Sequence, residues 1–515
     1  MTEWLKNAVF YEIYPQSFQD SNGDGIGDFN GIIEKLDYIK ELGCNAIWMN
    51  PCYDSPFADA GYDVRDYRKV AARYGTMEDI VRLFEEVHKR QMHILLDLVP
   101  GHTSEQHRWF VESGKAERNE YSDRYIWTDM WLMRADGFAY IAGECERNGT
   151  YILNFFKCQP ALNYGFLHPD QPWQKPMDDP ACLATRDAIR EVMCFWLDKG
   201  CDGFRVDMAD SLVKHDDETK SGTCEVWRDL FGSVQDQYPD AAFVSEWNNP
   251  QSAINQGGFQ MDFFLDWPGN GYHNLLRDYD DGGRDNSFFK KDSDRSILDF
   301  LDEYLPKYEA VKDKGFYCLI TGNHDTIRAA YHLDEKELKI AYAFLLTMPG
   351  APFIYYGDEI GMRYQNLPTK EGGYTRTGSR TPMQWTDGIN CGFSDAEPDR
   401  LYLPVDTGND APTVQSQQSR ADSLYHTVKK VLSIRHKEKA FAVHDNLEIL
   451  TAKRDRRSFA YRRGNLVCVC NPSGKEESLP LQSMTGEKIL EIGSACVEKN
   501  CILISAQSFA IFRCI

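Results

Sequence analysis

The sequence contains no uninterrupted apolar run long enough to span a bilayer, for which about 20 residues are needed. Its first residues, MTEWLKNAVFYEIYP, also lack the apolar stretch of a secretory signal peptide. None of its 15 cysteines forms a CxxC pair, and their odd number does not indicate a disulfide framework. We therefore expect a cytoplasmic protein with no membrane partner, in which Cys468 and Cys470 are buried free thiols on one face of a strand.

Basic residues are scarce relative to acidic ones. The chain of 515 residues has 57 Lys and Arg against 79 Asp and Glu, a formal charge of −22. Such a surface repels nucleic acid and anionic membranes, so we expect a small neutral ligand and no nucleic-acid partner. The apolar content of 42% is typical of a globular protein, and the length allows two or three domains. The sequence leaves monomer and homodimer open.

A glycine-rich phosphate loop after an early strand is also missing, which argues against a doubly wound open sheet. The chain has instead eight short apolar runs, rich in β-branched and aromatic residues and separated by amphipathic stretches. These repeated βα units predict a parallel sheet closed into a (β/α)8 TIM barrel. The runs are AVFYEIYP, NAIWMNP, HILLDLVP, DGFRVD, AAFVSEW, QMDFFLDW, FYCLITGNHD and APFIYYGDE.

Two stretches do not follow this repeat. Residues 103–173, between HILLDLVP and DGFRVD, are rich in Trp, Tyr, Gly and Asn and show little helical periodicity. We interpret them as a small domain inserted after the third strand. Short strands such as SFAYRR, NLVCVCNP and SFAIFR predict an antiparallel β-domain at 440–515. The barrel then comprises 1–102 and 174–439.

Three predicted strands end in carboxylates, at Asp207, Glu246 and Asp325. The C-terminal ends of barrel strands carry the active site, although a single such acid could equally cap the following helix. Glycosidic cleavage needs one carboxylate and one carboxylic acid whose pKa values differ. We expect Arg205 to keep Asp207 ionised, and Glu246, without such a partner and beside Trp247, to keep a raised pKa and donate a proton.

The segment DSNGDGIGD places oxygen ligands at every second residue. This spacing matches the first nine positions of an EF-hand loop, but the twelfth is Gly31, so the closing Glu is absent. We predict a structural Ca²⁺ and no organic cofactor; a turn without metal is the alternative. The ligands would be Asp20, Asn22, Asp24, the carbonyl of Ile26, and Asp28.

The motifs DLVPGH, QPALN, GFRVDMAD, FVSEW, TGNHD, IYYGDEIGM and RTPMQW resemble those of the α-amylase family, glycoside hydrolase family 13, and occur in its order. The resemblance covers nearly the whole chain and is strongest to the oligo-1,6-glucosidase and α-glucosidase branch. It implies a retaining, exo-acting α-glucosidase that releases glucose from short α-glucosides through a β-glucosyl-aspartate. A transglycosidase, such as a sucrose isomerase or trehalose synthase, is the alternative. A non-catalytic sugar-binding or transporter-associated homologue is more remote, because the carboxylates are intact.

The resemblance also implies individual roles. Asp207 matches the nucleophile, Glu246 the general acid/base, and Asp325 the carboxylate that stabilises an oxocarbenium-like transition state. Similar family members bind calcium at the DSNGDGIGD loop. The other residues implied to surround the sugar are Asp59 and Tyr62 at its non-reducing end, His102, Arg205, His324, and either Arg376 or Arg380.

The chain departs from the family around the expected aglycone. Gly101 stands where the family usually has Asn, and Ala161 where the α-glucosidase branch usually has Asp. Met208 follows the nucleophile, a position where valine is associated with α-1,6 and alanine or threonine with α-1,4 preference. These changes leave linkage and substrate length open, and make a second calcium beside residue 101 doubtful.

Overall fold

The computed structural model describes residues 2–135, 137–279, 284–371, 375–480, 486–498 and 501–514. Eight parallel strands, one at each predicted apolar run, form its central sheet. In chain order, strands β1–β8 are Phe10–Ile13, Ala46–Met49, His93–Leu98, Gly203–Val206, Ala242–Ser245, Met261–Phe263, Phe316–Cys318 and Phe353–Tyr355.

The strands lie in the order β7-β6-β5-β4-β3-β2-β1-β8. A parallel bridge between Ile320 and Phe353 joins the two ends of this sheet, so the predicted (β/α)8 barrel is confirmed. Nearly every strand residue is buried, as expected for strands covered on both faces. Aromatic rings fill the centre: Trp48 lies 5.5 Å from Phe263 and 6.2 Å from Phe353, measured between ring centroids.

Helices cover the outside of the barrel. In the first, Asp28 accepts a hydrogen bond from the Gly31 N–H, and Gly43 ends the helix with a left-handed backbone (φ 114°). The α-helices of the described residues are Phe29–Leu42, Met77–Lys89, Arg108–Ser113, Pro180–Lys199, Ser221–Gln237, His273–Leu276, Leu298–Val311, Glu335–Leu345, Val414–Ser419 and Leu424–Lys437, with a π-helical turn at Gln251–Gln256. Short 3₁₀ turns are Glu3–Asn7, Pro15–Ser17, Ala329–Tyr331, Asp358–Ile360, Thr375–Ser379, Ile389–Gly392, Pro398–Arg400 and Lys439–Phe441.

The long connection after β3 has little regular structure. It contains one short helix and an antiparallel hairpin, Tyr140–Ala142 with Thr150–Ile152, and it buries Ile126, Phe166 and Trp173 in a small core of its own. A second two-stranded sheet, Tyr53–Asp54 with Asp66–Val70, precedes it in the chain. The limits of the inserted domain, 103–173, stay a prediction.

The C-terminal part is antiparallel, as predicted. Cys468 and Cys470 are free and buried in its central strand, which confirms that prediction. No helix in the described residues combines the length and apolarity needed to cross a membrane. One sheet has the order Leu447–Lys453, Arg456–Arg463, Leu466–Asn471, Ser508–Cys514 and Gly486–Ile492, and the other Glu477–Pro480, Cys501–Ile504 and Ala495–Glu498.

Candidate active site

A cavity of about 350 Å³ opens at the C-terminal ends of the barrel strands. Asp207 directly follows β4, Glu246 directly follows β5, and Asp325 lies in the loop after β7, so the parallel topology brings the three predicted acids into one cavity. Its lining residues are Asp59, Tyr62, His102, Phe155, Asp207, Met208, Asp210, Glu246, Trp247, Leu265, Trp267, Asp325 and Arg376.

Arg205 lies beneath this cavity and contacts three carboxylates. Its Nη1 is 3.1 Å from Asp207 Oδ1 and 2.9 Å from Asp97 Oδ1, and its Nη2 is 2.8 Å from Glu246 Oε2. The side chain is only 1% exposed, so these contacts are screened little by solvent. One guanidinium therefore holds the predicted nucleophile and the predicted acid/base beside each other.

This geometry corrects the expectation that Glu246 lacks a cationic partner, since Glu246 pairs with Arg205 as Asp207 does. Arg205 lowers the pKa of Asp207, as expected, but it does not act alone. Burial and the charge of Glu246 raise the pKa of Asp207, and they outweigh Arg205, which lowers it. Asp97, which contacts the same guanidinium, also raises this pKa.

Two guanidinium groups converge on Asp325. Nη1 of Arg376 lies 3.0 Å, and Nη2 of Arg380 2.7 Å, from the same oxygen, Oδ1. Burial acts to raise the pKa of Asp325, but the neighbouring groups, Arg376 and Arg380 among them, outweigh it and lower the pKa. The sequence left Arg376 and Arg380 as alternatives; the structure brings both to this carboxylate, and only Arg376 lines the cavity.

Asp59 closes the end of the cavity next to Asp325. It forms an ion pair with Arg376, and its Oδ2 accepts a hydrogen bond of 2.7 Å from Gln159. Burial raises the pKa of Asp59 to about 6 although Arg376 opposes this. The polar groups at this end are thus charged, fixed and directed toward the cavity.

The two predicted histidines are buried and neutral. Burial lowers the pKa of His102 to about 3 and that of His324 well below its ordinary value. His324 lies below the cavity, with Nδ1 2.8 Å from Glu12 Oε1 and Nε2 2.7 Å from the Tyr62 hydroxyl. The Tyr62 ring stacks on His324 at 5.2 Å between centroids, which fixes the orientation of this aromatic wall.

Sequence reasoning missed two polar residues. Asp97 accepts hydrogen bonds from Trp48 Nε1 (3.0 Å) and the Tyr62 hydroxyl (3.1 Å) in addition to its contact with Arg205. Gln159 orients Asp59. Both are the first residues of motifs that the sequence does show, DLVPGH and QPALN, and an acid inside the apolar run HILLDLVP was itself a signal.

Apart from Asp210, the side of the cavity beyond Glu246 is lined by apolar residues. Phe155 and Trp267 remain 40% and 51% exposed at its entrance, and Met208, Trp247 and Leu265 lie deeper. Met208 has a left-handed backbone (φ 42°), and its N–H donates a 2.9 Å hydrogen bond to Glu246 Oε2. A strained backbone at this position thus helps to orient the acid/base.

The DSNGDGIGD loop lies apart from this cavity. The Asp20 carboxylate accepts hydrogen bonds from the N–H groups of Asn22, Gly23 and Gly25, while Asp28 caps the following helix. In the described residues no three His, Cys, Asp or Glu side chains are grouped as metal ligands. A site here would therefore depend on the Asn22 amide and the Ile26 carbonyl as well, so calcium stays a prediction.

The sequence profile for the alpha amylase catalytic domain matches residues 12–444 of the chain. The chain belongs to the α-amylase family. It is therefore a glycoside hydrolase that acts on a carbohydrate. The matched range extends from β1 to the end of the barrel and includes every predicted site residue.

Several relatives are similar over most of their length. An oligo-1,6-glucosidase of Halalkalibacterium halodurans is 32% identical, covering 97% of this chain and 96% of that protein. The trehalose synthase/amylase TreS of Mycolicibacterium smegmatis is 33% identical, covering 86% and 78%. The crystal structure of the trehalulose synthase MutB from Pseudomonas mesoacidophila matches with a TM-score of 0.80 at 27% identity, covering 99% of both chains. These relatives share the family but not one reaction.

Proposed function

We propose that the protein is a retaining, exo-acting α-glucosidase that removes terminal glucose from short α-glucosides. The observation that carries this proposal is the closed sugar end of the cavity, where Asp59, Arg376 and Asp325 form a continuous charged wall. A pocket blocked beyond one ring admits a chain end and excludes an internal residue of a polymer. The apolar opening beyond Glu246 is then the place of the aglycone.

The reaction proceeds by two displacements at the anomeric carbon. Asp207 attacks this carbon while Glu246 gives its proton to the glycosidic oxygen; the carbon–oxygen bond breaks and a β-glucosyl ester forms. Glu246, now ionised, takes a proton from water, whose oxygen attacks the same carbon and releases Asp207. The product is α-glucose. Asp325, ionised throughout, stabilises the positive charge that develops on the ring.

Transglycosylation is the second candidate, because similar proteins are named trehalose synthase and trehalulose synthase. It uses the same ester and differs only in whether water or a sugar hydroxyl attacks it. A panel of maltose, isomaltose, kojibiose, nigerose, sucrose and trehalose separates the two. Mainly free glucose supports hydrolysis, whereas mainly isomeric disaccharides would replace it with transglycosylation.

Asp207→Asn and Glu246→Gln test the catalytic assignment. Each should abolish hydrolysis of p-nitrophenyl α-glucoside while circular dichroism and the melting temperature show an intact fold. Asp236→Asn, at an exposed position on Ser221–Gln237, is the matched control and should retain full activity. Full activity of either active-site variant would end the assignment, and first release of β-glucose would refute retention.

We also propose that the DSNGDGIGD loop binds a structural Ca²⁺ and that the protein is cytoplasmic. Fifteen free thiols support a reducing compartment. Calcium should raise the melting temperature of the EDTA-treated protein without changing kcat/KM, because the loop lies away from the cavity. The Asp24→Asn variant should lose this response. An unchanged melting temperature of the parent protein would contradict the calcium proposal.

A further inference from the structure

A side-chain amide from the inserted segment fills the space beside Gly101. A Cβ built on Gly101 would lie 2.6 Å from Asn154 Nδ2 and 2.9 Å from Ser211 Oγ. Gly101 does not have a left-handed backbone, so its own conformation does not demand glycine. Glycine is needed at this position because the Asn154 side chain occupies the space that a Cβ atom would fill.

The orientation of the Asn154 amide is determined by Lys214. Lys214 Nζ lies 3.0 Å from Asn154 Oδ1, and an ammonium group can only donate. The oxygen of the amide therefore faces Lys214, and its NH₂ group faces the other way. Asn154 Nδ2 lies 3.2 Å from His102 Nδ1 and 3.3 Å from Ser211 Oγ, which provides one acceptor for each of its two hydrogens.

The hydrogen bond on the opposite side of the His102 ring independently indicates that Nδ1 is the acceptor. Its Nε2 lies 3.2 Å from the Tyr62 carbonyl oxygen, which can only accept. Nε2 must therefore carry the proton and Nδ1 must accept from Asn154. A second proton on Nδ1 would point at the NH₂ group of Asn154, and the charge of Lys214 also opposes it.

We propose that Asn154, held by Lys214, is a positioning residue that fixes His102 as the neutral imidazole with its proton on Nε2. This inference rests on the proposed function, because it concerns the wall of the glucose pocket. A neutral ring keeps its Nε2–H directed at the Tyr62 carbonyl. It adds no positive charge beside the positive charge that develops on the sugar in the transition state.

Two substitutions at residue 154 separate this role from simple packing. Leucine is similar in size to asparagine but cannot donate a hydrogen bond to His102. In Asn154→Leu, kcat/KM should therefore fall about 3- to 10-fold, the equivalent of one hydrogen bond. Asn154→Asp accepts from Lys214 and also from Nδ1–H, so it should favour the doubly protonated ring. In this variant kcat should fall as the pH is lowered, over a range in which the parent protein is unaffected.

A reciprocal exchange tests whether Gly101 makes room for the amide. Gly101→Asn alone should be strongly impaired, because its side chain meets Asn154. Asn154→Ala alone loses the hydrogen bond to His102. The double variant Gly101→Asn/Asn154→Ala supplies an amide from the other side and should exceed both single variants in kcat/KM. A double variant no better than either single one would overturn the steric argument.

The decisive measurement does not depend on activity. In ¹⁵N-histidine-labelled protein, with His102→Gln to assign the resonance, Nδ1 should show the shift of an unprotonated acceptor from pH 5 to 8. Because the signal is specific to His102, the acids that share the cavity do not obscure it. In Asn154→Asp it should move to a protonated shift within this range. Unchanged His102 shifts in Asn154→Leu and Asn154→Asp would refute the role of Asn154, even if both variants lose stability. If no sugar is hydrolysed but the shifts behave as described, the proposed function fails and the positioning role stands.

Discussion

Replacing Arg376 by Gln should shift the pH dependence of catalysis in a definite direction. In the proposed glucose pocket Asp59 must be ionised to accept hydrogen bonds from the outer hydroxyls of the sugar, and burial already raises its pKa to about 6. Arg376 is the strongest of the groups that lower this pKa. An opposite charge at this range lowers a carboxyl pKa by about 1–3 units, so removing Arg376 should raise the pKa of Asp59 to roughly 7–9.

The sign follows from the charge that is lost. Without the cation, Asp59 keeps its proton to higher pH, and the acid limb of kcat/KM moves toward alkaline values. The loss should appear mainly in KM at neutral pH and recover near pH 9.5. The pKa of Asp325 should change less, because Arg380 remains 2.7 Å from the carboxylate oxygen that Arg376 contacts.

The assay is kcat/KM for p-nitrophenyl α-glucoside between pH 5 and 9.5. Arg376→Lys keeps a charge and should show a smaller shift. Asp59→Asn and the double variant Asp59→Asn/Arg376→Gln lack the titrating group, so both should show the same limb, set by the remaining groups of the site. A profile of Arg376→Gln that is uniformly lowered but not displaced, or displaced to lower pH, would show that this reasoning is wrong.

Two further substitutions test the buried acids. Burial raises the pKa of Glu359 from 4.5 to about 7. The stability that its protonated form provides is therefore complete below about pH 4.5 and lost as the pH rises through 7. Urea unfolding should show that Glu359→Gln gains up to about 3 kcal/mol relative to the parent between pH 4 and pH 8; an equal difference at both pH values would contradict this. Asp97→Asn removes one of the three acids that contact Arg205, and with it a charge that raises the pKa of Asp207. The acid limb of kcat/KM should therefore move to lower pH, opposite to its shift in Arg376→Gln. A shift to higher pH would contradict the sharing of one guanidinium by the three acids.

The barrel could be predicted from the sequence because its strands are buried on both faces and therefore appear as continuous apolar runs. The three acids could be predicted for a related reason. A parallel barrel brings all carboxyl ends of its strands to one side, so Asp207, Glu246 and Asp325 had to meet if each followed a strand.

Contacts between different strands could not be predicted in the same way. Arg205 is two residues from Asp207 in the chain, which suggested that the two form an isolated ion pair, but the guanidinium also contacts Asp97 on the neighbouring strand β3 and Glu246 after the other neighbour, β5. Likewise nothing in the sequence near residue 101 indicates that Asn154, more than fifty residues later, fills the space beside it. Such pairings depend on side-chain reach and not on periodicity.

The shared guanidinium also determines which state of the enzyme can react. Asp97, Asp207 and Glu246 surround one permanent positive charge, so the fully ionised cluster carries two uncompensated negative charges and the singly protonated cluster carries one. In the proposed mechanism only the latter has a proton for the leaving group, and its remaining negative charge is balanced when positive charge develops on the sugar.

The acid/base variant should still react with a substrate whose leaving group needs no proton. In Glu246→Gln the negative charge that helps to raise the pKa of Asp207 is absent, so Asp207 should be ionised over a wider pH range. α-Glucosyl fluoride, whose leaving group departs unprotonated, should still glycosylate this variant, with an acid limb at lower pH than in the parent protein. Asp207→Asn should be inactive with the same substrate. If Glu246→Gln were equally inactive with the fluoride, or kept the parental acid limb, the charge of Glu246 would not be what raises the pKa of Asp207.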